Sequence, residues 1–256
     1  MWKAQLHRCF ETHAIGLDEV INSRVDLSPL SFPRVDMQVI QRRLDVLKSM
    51  NVDGIYVFYD EKGGVYPCVV GKGSRGVAVL CQFSGREAVV KIRRLDSPVD
   101  SMVGEAEKQL RANEAGVGPK VFAYNDDAIL MEYIQGRTLE EFLKEDPDEE
   151  IVKKIFYRIL VKCFRLDVVL LSHNQLRDAS THVIVKVNGE AEIIDFSHAK
   201  VSPFPKNVSQ FISYVINRLE WCGDKRVLYR LLVEYKRVYS VELLQRMARF
   251  LGLKPV

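Results

Sequence analysis

The chain of 256 residues reads as an α+β protein of two lobes, a β-rich first part and a helical second part. Three observations carry that reading. Between Gly54 and Arg94 the runs GIYVFYD, VYPCVVG, GVAVLCQF and AVVKIRR are rich in Val, Tyr and Phe and are punctuated by the turns DEKGG and SGRE, the texture of antiparallel strands. From Asn207 onward only helical periodicity remains. A composition 47% hydrophobic and 28% charged suits a chain that buries a real core.

Taken in order, residues 1 to 35 hold Pro29, Pro33 and short mixed segments, and Asp36 to Met50 follows as a helix, with Val39, Ile40, Leu44 and Leu47 on one face. Residues 1–50 are therefore set apart as an N-terminal helical extension. After the strand meander, DSMVGEAEKQLRANEAGVGP predicts a helix starting near Asp100 or Ser101 and ended by a left-handed Gly116, with Pro119 beyond it. A short strand pair leads through ILMEYIQG into TLEEFLK, where Thr138 and Glu141 form a capping box. The acidic turn EDPDEE precedes a long helix, Glu149 to Leu171, with Ile151, Ile155, Ile159 and Cys163 as its buried stripe. Three more helices are expected near Asn207, Asp224 and Ser240. The resulting division is 1–50, 51–134 and 135–256.

Several classes are excluded. No apolar run approaches the roughly 20 residues of a membrane span, and Met1 to Glu11 lacks the apolar core of a signal peptide, so a cytoplasmic protein is expected. Cys9, Cys68, Cys81, Cys163 and Cys222 show neither a CxxC pair nor a zinc spacing and read as reduced, mostly buried thiols. The net charge of +3 is mild, but the tail after Val201 carries ten lysines and arginines against four acidic residues. That excess suits either a solvated helical surface or a weak RNA-contacting face.

The chemistry begins with GKGSRG at 71–76, a G-x-G-x-x-G pattern lying between two strands. Glycines there serve strand turns, or they free backbone N–H groups to cover nucleotide phosphates. One strand later, AVVKIRR delivers a single ammonium, Lys91, onto an apolar face. Such a lysine either snorkels at an edge or binds phosphate when a carboxylate holds it. Glu105 and Glu107, near the start of the following helix, are the candidates for that carboxylate. Asp195 directly follows an Ile-Ile strand, where a carboxylate is costly unless a cation or several donors compensate it.

GKGSRGVAV, AVVKI, GEAEKQL, ILMEYIQG and IIDF, in this order and at these distances, resemble the protein-kinase superfamily. The compact GEAEKQLRANEAGVGPKVF helix and the short tail are similar to its small atypical branch. That branch holds the RIO kinases, the kinase subunit of the tRNA threonylcarbamoyladenosine-modifying complex and predicted archaeal serine/threonine kinases. The similarity covers Val52 to Leu219, about two-thirds of the chain. It implies a bilobal fold with an antiparallel N-lobe sheet and a reduced helical C-lobe, and a site for ATP and Mg²⁺. Gly71, Lys72, Gly73, Ser74 and Gly76 would form the phosphate flap, with Lys91 binding phosphate and Glu105, favoured over Glu107, as its partner. Met131 would be the gatekeeper, with the Glu132 carbonyl and the Ile134 backbone near adenine, and Asp195 would bind magnesium.

The resemblance places the catalytic loop at SHNQLRDASTHVIV, residues 172–185. His173 takes the first position of the family's H-x-D-x-x-x-x-N pattern, but Gln175 stands where the catalytic aspartate belongs, and a carboxamide cannot accept a hydroxyl proton. The metal-binding asparagine is replaced by Ser180 in an ungapped count, or by His182 if the loop is two residues longer; His182 is preferred because VIV then aligns with the following strand. Asp178 either substitutes as base or caps the loop. DFG has become DFS at Ser197, and no APE segment follows. Two functions from different classes follow: an ATP-dependent serine/threonine kinase or ATPase, and a pseudokinase that binds nucleotide or scaffolds a protein or RNA partner. A small-molecule kinase is a third option, less suited because such enzymes also use the missing aspartate and asparagine.

Overall fold

The structure, a computed structural model, describes residues 12–219, 221 and 223–253. Cys9, Cys222, Glu220, Lys254 and the whole Met1 to Glu11 stretch lie outside that set. The protein is α+β, with two compact units: one of the described residues up to Ala106 with Lys120–Tyr133, the other of Glu107–Pro119 with the described residues from Ile134 on.

The first unit is built on one antiparallel sheet. Its strands are β1 (His13–Gly16), β2 (Val52–Tyr59), β3 (Val65–Pro67), β4 (Val69–Lys72), β5 (Gly76–Phe83), β6 (Arg86–Arg93), β7 (Val121–Tyr124) and β8 (Ala128–Glu132). They run in the order β1-β2-β5-β6-β8-β7, with β3 added on β2 and β4 on β5. Strand alternation sends Ile55, Val57, Val79, Val90 and Leu130 to one face, where Ile40, Leu44 and Leu47 of helix α1 (Met37–Ser49) complete the core. Asp36 starts α1 by accepting the Gln38 and Val39 amides.

Residues 12–50 thus share the sheet's own core. Strand β1, absent from the sequence expectation, pairs with β2 from His13↔Val57 to Gly16↔Gly54. The buried Arg43 anchors α1 further, donating to the Leu30 carbonyl at 2.5 Å and reaching Asp127 at 3.4 Å. Arg42 and Arg93 approach the same Asp127 oxygen at 3.3 and 3.6 Å.

Helix α2 (Val103–Glu114) begins in the first unit and ends in the second; Gly116 follows it at φ +67°. The second unit contains α3 (Leu139–Lys144), α4 (Glu149–Val168), α5 (Asn207–Arg218), α6 (Lys225–Val238) and α7 (Val241–Phe250). Beside them lie a three-stranded antiparallel sheet of β9 (Arg137–Thr138), β11 (Val183–Val185) and β12 (Ala191–Ile193), and a pair formed by β10 (Leu171–Ser172) and β13 (Lys200–Val201). The Thr138–Glu141 capping box is present, and Asp148, Asp224 and Ser240 cap α4, α6 and α7.

The buried face of α4 is Val152, Ile155, Phe156, Ile159, Leu160, Cys163 and Leu166, while Ile151 is 48% exposed. The expected ladder of strict i+4 steps fails for a geometric reason. Each four-residue step overshoots a full turn, so across twelve residues the ladder drifts by about 120° around the helix. Cys68, Cys81 and Cys163 are buried and in no disulfide, and burial pushes the Cys81 thiol up to about 12. Among the described residues no helix is long and apolar enough to cross a membrane.

Candidate functional site

Each unit holds one constellation of predicted site residues. In the first, the strand registers align Ala78, Lys91 and Ile129 in one row and Leu80, Val89 and Met131 in the next, on the sheet face opposite α1. A small apolar cluster of Phe58, Cys68, Leu80, Val89 and Met131 covers this face. The Lys91 ammonium rises from it and lies 2.5 Å from Oε1 of Glu105, with the two side chains 12% and 3% exposed. Glu105 sits in the first turn of α2 and faces inward, whereas Glu107, two residues on, is exposed. Glu105 Oε2 is buried with no hydrogen-bond partner among the described residues. An ion pair taken from water in this way gives little net stability, so the fold alone does not account for it.

The glycine-rich hairpin joins β4 to β5 and is closed by the Gly73 amide donating to the Gly76 carbonyl at 2.9 Å. Its three glycines differ in kind. A Cβ on Gly76 would lie 2.9 Å from the Ile92 carbonyl oxygen and 3.1 Å from Cγ of Lys91, so the backbone of the next strand, with the lysine stem beside it, requires glycine there. Around Gly71 and Gly73 the nearest atoms are 3.7 and 4.0 Å away, and neither residue has positive φ. Nothing in the fold demands glycine at those two positions. Lys72 and Ser74 are exposed on the same hairpin. At the end of β8, Met131 is buried, and the Glu132 amide donates to the Lys120 carbonyl at 2.8 Å; Ile134, also buried, belongs to the second unit.

In the second unit, the loop leaving β10 is pinned through its backbone. The His173 amide donates to Asn207 Oδ1 at 2.8 Å, and the Leu176 amide to Gln210 Oε1 at 3.2 Å. A 3-10 turn, Leu176–Thr181, follows Gln175 and precedes His182, whose carbonyl accepts the Ile194 amide at 2.9 Å. The His173 ring is wholly buried. Nε2 faces the Ile194 carbonyl at 3.0 Å, and the rings of Phe196 and His182 meet it edge-on at centroid distances of 5.2 and 5.6 Å. Burial pulls its pKa down to about 4, so the ring is neutral and Nε2 carries the proton that the carbonyl accepts.

Asp195 stands two residues past β12 in the left-handed region, φ +65° and ψ +81°, and accepts the Ser197 amide at 3.2 Å. That conformation is uncommon outside glycine and is a form of strain found at ligand sites. His173, His182, Phe196 and Asp195 therefore come together around the buried imidazole. Gln175, two residues past His173, has its Oε1 buried and unpartnered among the described residues. Asp178 does not join them: its exposed carboxylate accepts the Ser180 hydroxyl.

As magnesium ligands the two candidates are unequal. The Asp195 carboxylate is a hard oxygen donor, and magnesium is often held by one or two carboxylates plus substrate phosphates. His182 offers an imidazole nitrogen, which suits softer metals, and its Nδ1 already faces Thr181 Oγ1 and the Asp178 carbonyl at 3.1 and 3.0 Å. The expectation of His182 as a magnesium ligand does not fit this donor chemistry. Among the described residues no group of three or more His, Cys, Asp or Glu side chains is placed to hold a metal.

Sequence reasoning overlooked Asp167, Asn207 and Tyr235, the buried residues behind the loop. A signal existed: Asp167 continues the series Ile155, Ile159, Cys163 by four residues, an acid on an apolar stripe. Comparison with protein-family models and with curated proteins finds no match for the chain.

One prediction concerns acid. With the folded pKa of His173 near 4 and an ordinary value of 6.5, the unfolded chain binds the extra proton, so stability is full above pH 6.5 and falls toward pH 4. The loss should reach about 3 kcal/mol, taking about 1.4 kcal/mol per pKa unit. Urea unfolding at pH 7 and pH 4.5 measures it, and His173→Gln should flatten the dependence; an equally steep slope in that variant would place the effect elsewhere.

Proposed function

We propose that the protein is an atypical, protein-kinase-like ATP-binding protein of bilobal fold that transfers the γ-phosphate of ATP to a protein or hydrolyses it. The observation that carries the reading is the buried Lys91–Glu105 pair on an apolar sheet face beside the glycine-rich hairpin. A lysine held by a carboxylate presents a fixed ammonium to α and β phosphates, and the backbone N–H groups of Gly71 to Gly76 would lie over them. The apolar row of Leu80, Val89 and Met131 suits an adenine ring. Mg²⁺, bound through Asp195, would supply charge neutralisation at the phosphates. The left-handed backbone of Asp195 supports the same reading, and so does the spare room at Gly71 and Gly73, which the fold does not require.

The pseudokinase reading is favoured by the loop. Gln175 cannot act as base, His182 is a poor magnesium ligand, and Asp178 is committed to Ser180. In that reading the exposed basic residues of α6, including Lys225, Arg226, Arg230, Lys236 and Arg237, would contact an RNA or protein partner.

Thermal unfolding with ATP and Mg²⁺ tests both readings. At a hundred times the dissociation constant, stabilisation should be about 2.7 kcal/mol. The increment, measured over each variant's own baseline, should vanish in Lys91→Met and in Asp195→Ala; no shift in the wild type at saturating nucleotide sinks both nucleotide-dependent readings and leaves only a scaffold. Radiolabelled phosphate transfer separates them: transfer lost in Asp195→Ala marks the enzyme, and stabilisation without transfer marks the pseudokinase.

A further inference from the structure

We infer that the segment preceding α1 is a brace on the glycine-rich hairpin, and that Phe32 is its positioning residue, fixing the hairpin and thereby setting nucleotide affinity. The affinity half rests on the ATP reading above; the hairpin half does not. The Phe32 ring carries two cations from the hairpin region. Nζ of Lys72 stands 3.5 Å from the ring centroid, and the Arg94 guanidinium carbon 4.7 Å from it. Arg94 then reaches the hairpin's own backbone, donating from Nη1 to the Gly73 carbonyl at 2.9 Å and from its amide to the Arg75 carbonyl at 2.9 Å. A two-pronged pair with Asp96, at 2.8 and 2.6 Å, fixes the direction of that guanidinium.

Phe32 is itself held from behind. Its carbonyl accepts the Leu95 amide at 2.8 Å, and two residues earlier the carbonyl of the buried Leu30 accepts from Arg43 of α1. The ring is thus mounted on the rigid body of the first unit. Lys72, Gly73 and Ser74, by contrast, are exposed, so the hairpin is a natural point of local opening unless something ties it down. Ordering these residues before a ligand arrives removes part of the entropy that binding would otherwise lose. Residues with no chemistry of their own would in this way tune a site one sheet edge away.

Three variants test the inference. Phe32→Leu keeps the apolar volume and loses the ring face, and Phe32→Trp keeps the face. With each cation–π contact contributing roughly 0.5–1 kcal/mol, Phe32→Leu should raise amide exchange at residues 73–76 by about five- to thirty-fold without nucleotide. It should weaken ATP binding about fivefold by the same contacts, with Phe32→Trp close to wild type in both. Lys72→Met, which leaves the segment untouched, should raise exchange about two- to fivefold, so the inference stays open to refutation even if Phe32→Leu folds poorly. Unchanged exchange in Phe32→Leu and Lys72→Met overturns the brace. Faster exchange with unchanged or tighter ATP binding overturns the affinity half. If the wild type binds no ATP, the proposed function and the affinity half fall together, and exchange still decides the brace.

Discussion

Asp167→Ala should lower stability by about 3 kcal/mol or more, a fall in melting temperature of about 10 °C for a chain of this length. The carboxylate leaves the last turn of α4, fully buried, and takes four donors. Oδ1 accepts from the amide and side-chain nitrogens of Asn207 at 3.0 and 2.8 Å; Oδ2 accepts from the Val208 amide at 3.2 Å and the Tyr235 hydroxyl at 2.8 Å. The residue at the N-cap of α5, Lys206, makes no side-chain cap, so Asp167 satisfies the helix's first amides from forty residues upstream.

The same carboxylate steadies the candidate catalytic loop, because Asn207 uses its Oδ1 for the His173 amide. Burial nevertheless raises the Asp167 pKa above its usual value of 3.8, against the pull of its donors. A raised folded value means that its protonation-linked contribution is fullest below pH 3.8 and is lost as pH rises, opposite in sign to His173. Removing the side chain leaves the Val208 amide and the Tyr235 hydroxyl buried without partners at every pH. Thermal melts of Asp167→Ala, with amide exchange at His173, check this; a change below about 1 kcal/mol would show that water replaces the carboxylate without loss.

Gln175→Asp should raise phosphate transfer from ATP by ~10²-fold, the lower end of what a positioned general base contributes. Gln175 Oε1 is buried without a partner, so an aspartate there would be partly desolvated and its pKa raised toward neutrality, where a base works best. Asp178→Ala should leave transfer unchanged, since that carboxylate is exposed and held by Ser180. Radiolabelled transfer beside an ATP-binding measurement checks both. A Gln175→Asp protein that binds ATP as the wild type does and transfers no faster would remove residue 175 from the chemistry.

Much of the fold was legible because its signals are local. Asp36, Thr138, Asp224 and Ser240 each announce a helix by the donors they accept, and the Val-rich runs between glycine turns become β2 to β6. Strand β1 was hidden because HAIG is four residues long and owes its conformation to pairing with β2. Ile151 misled because i+4 spacing approximates 3.6 only over short stretches.

In the candidate site, Lys91 was readable from strand alternation, whereas position near a helix start offered Glu105 and Glu107 alike and only the family resemblance favoured Glu105. The Asp167–Asn207–Tyr235 network joins residues up to 68 positions apart and leaves only one trace, an acid on an apolar stripe.

The close approach of Gly76 to the Ile92 carbonyl has a consequence for how this protein can vary. The third glycine of the hairpin is fixed by the main chain of the next strand, so no change of a neighbouring side chain relaxes the demand. Glycine should persist at 76 even in lineages that have lost Lys91, while Gly71 and Gly73 drift on their own schedule.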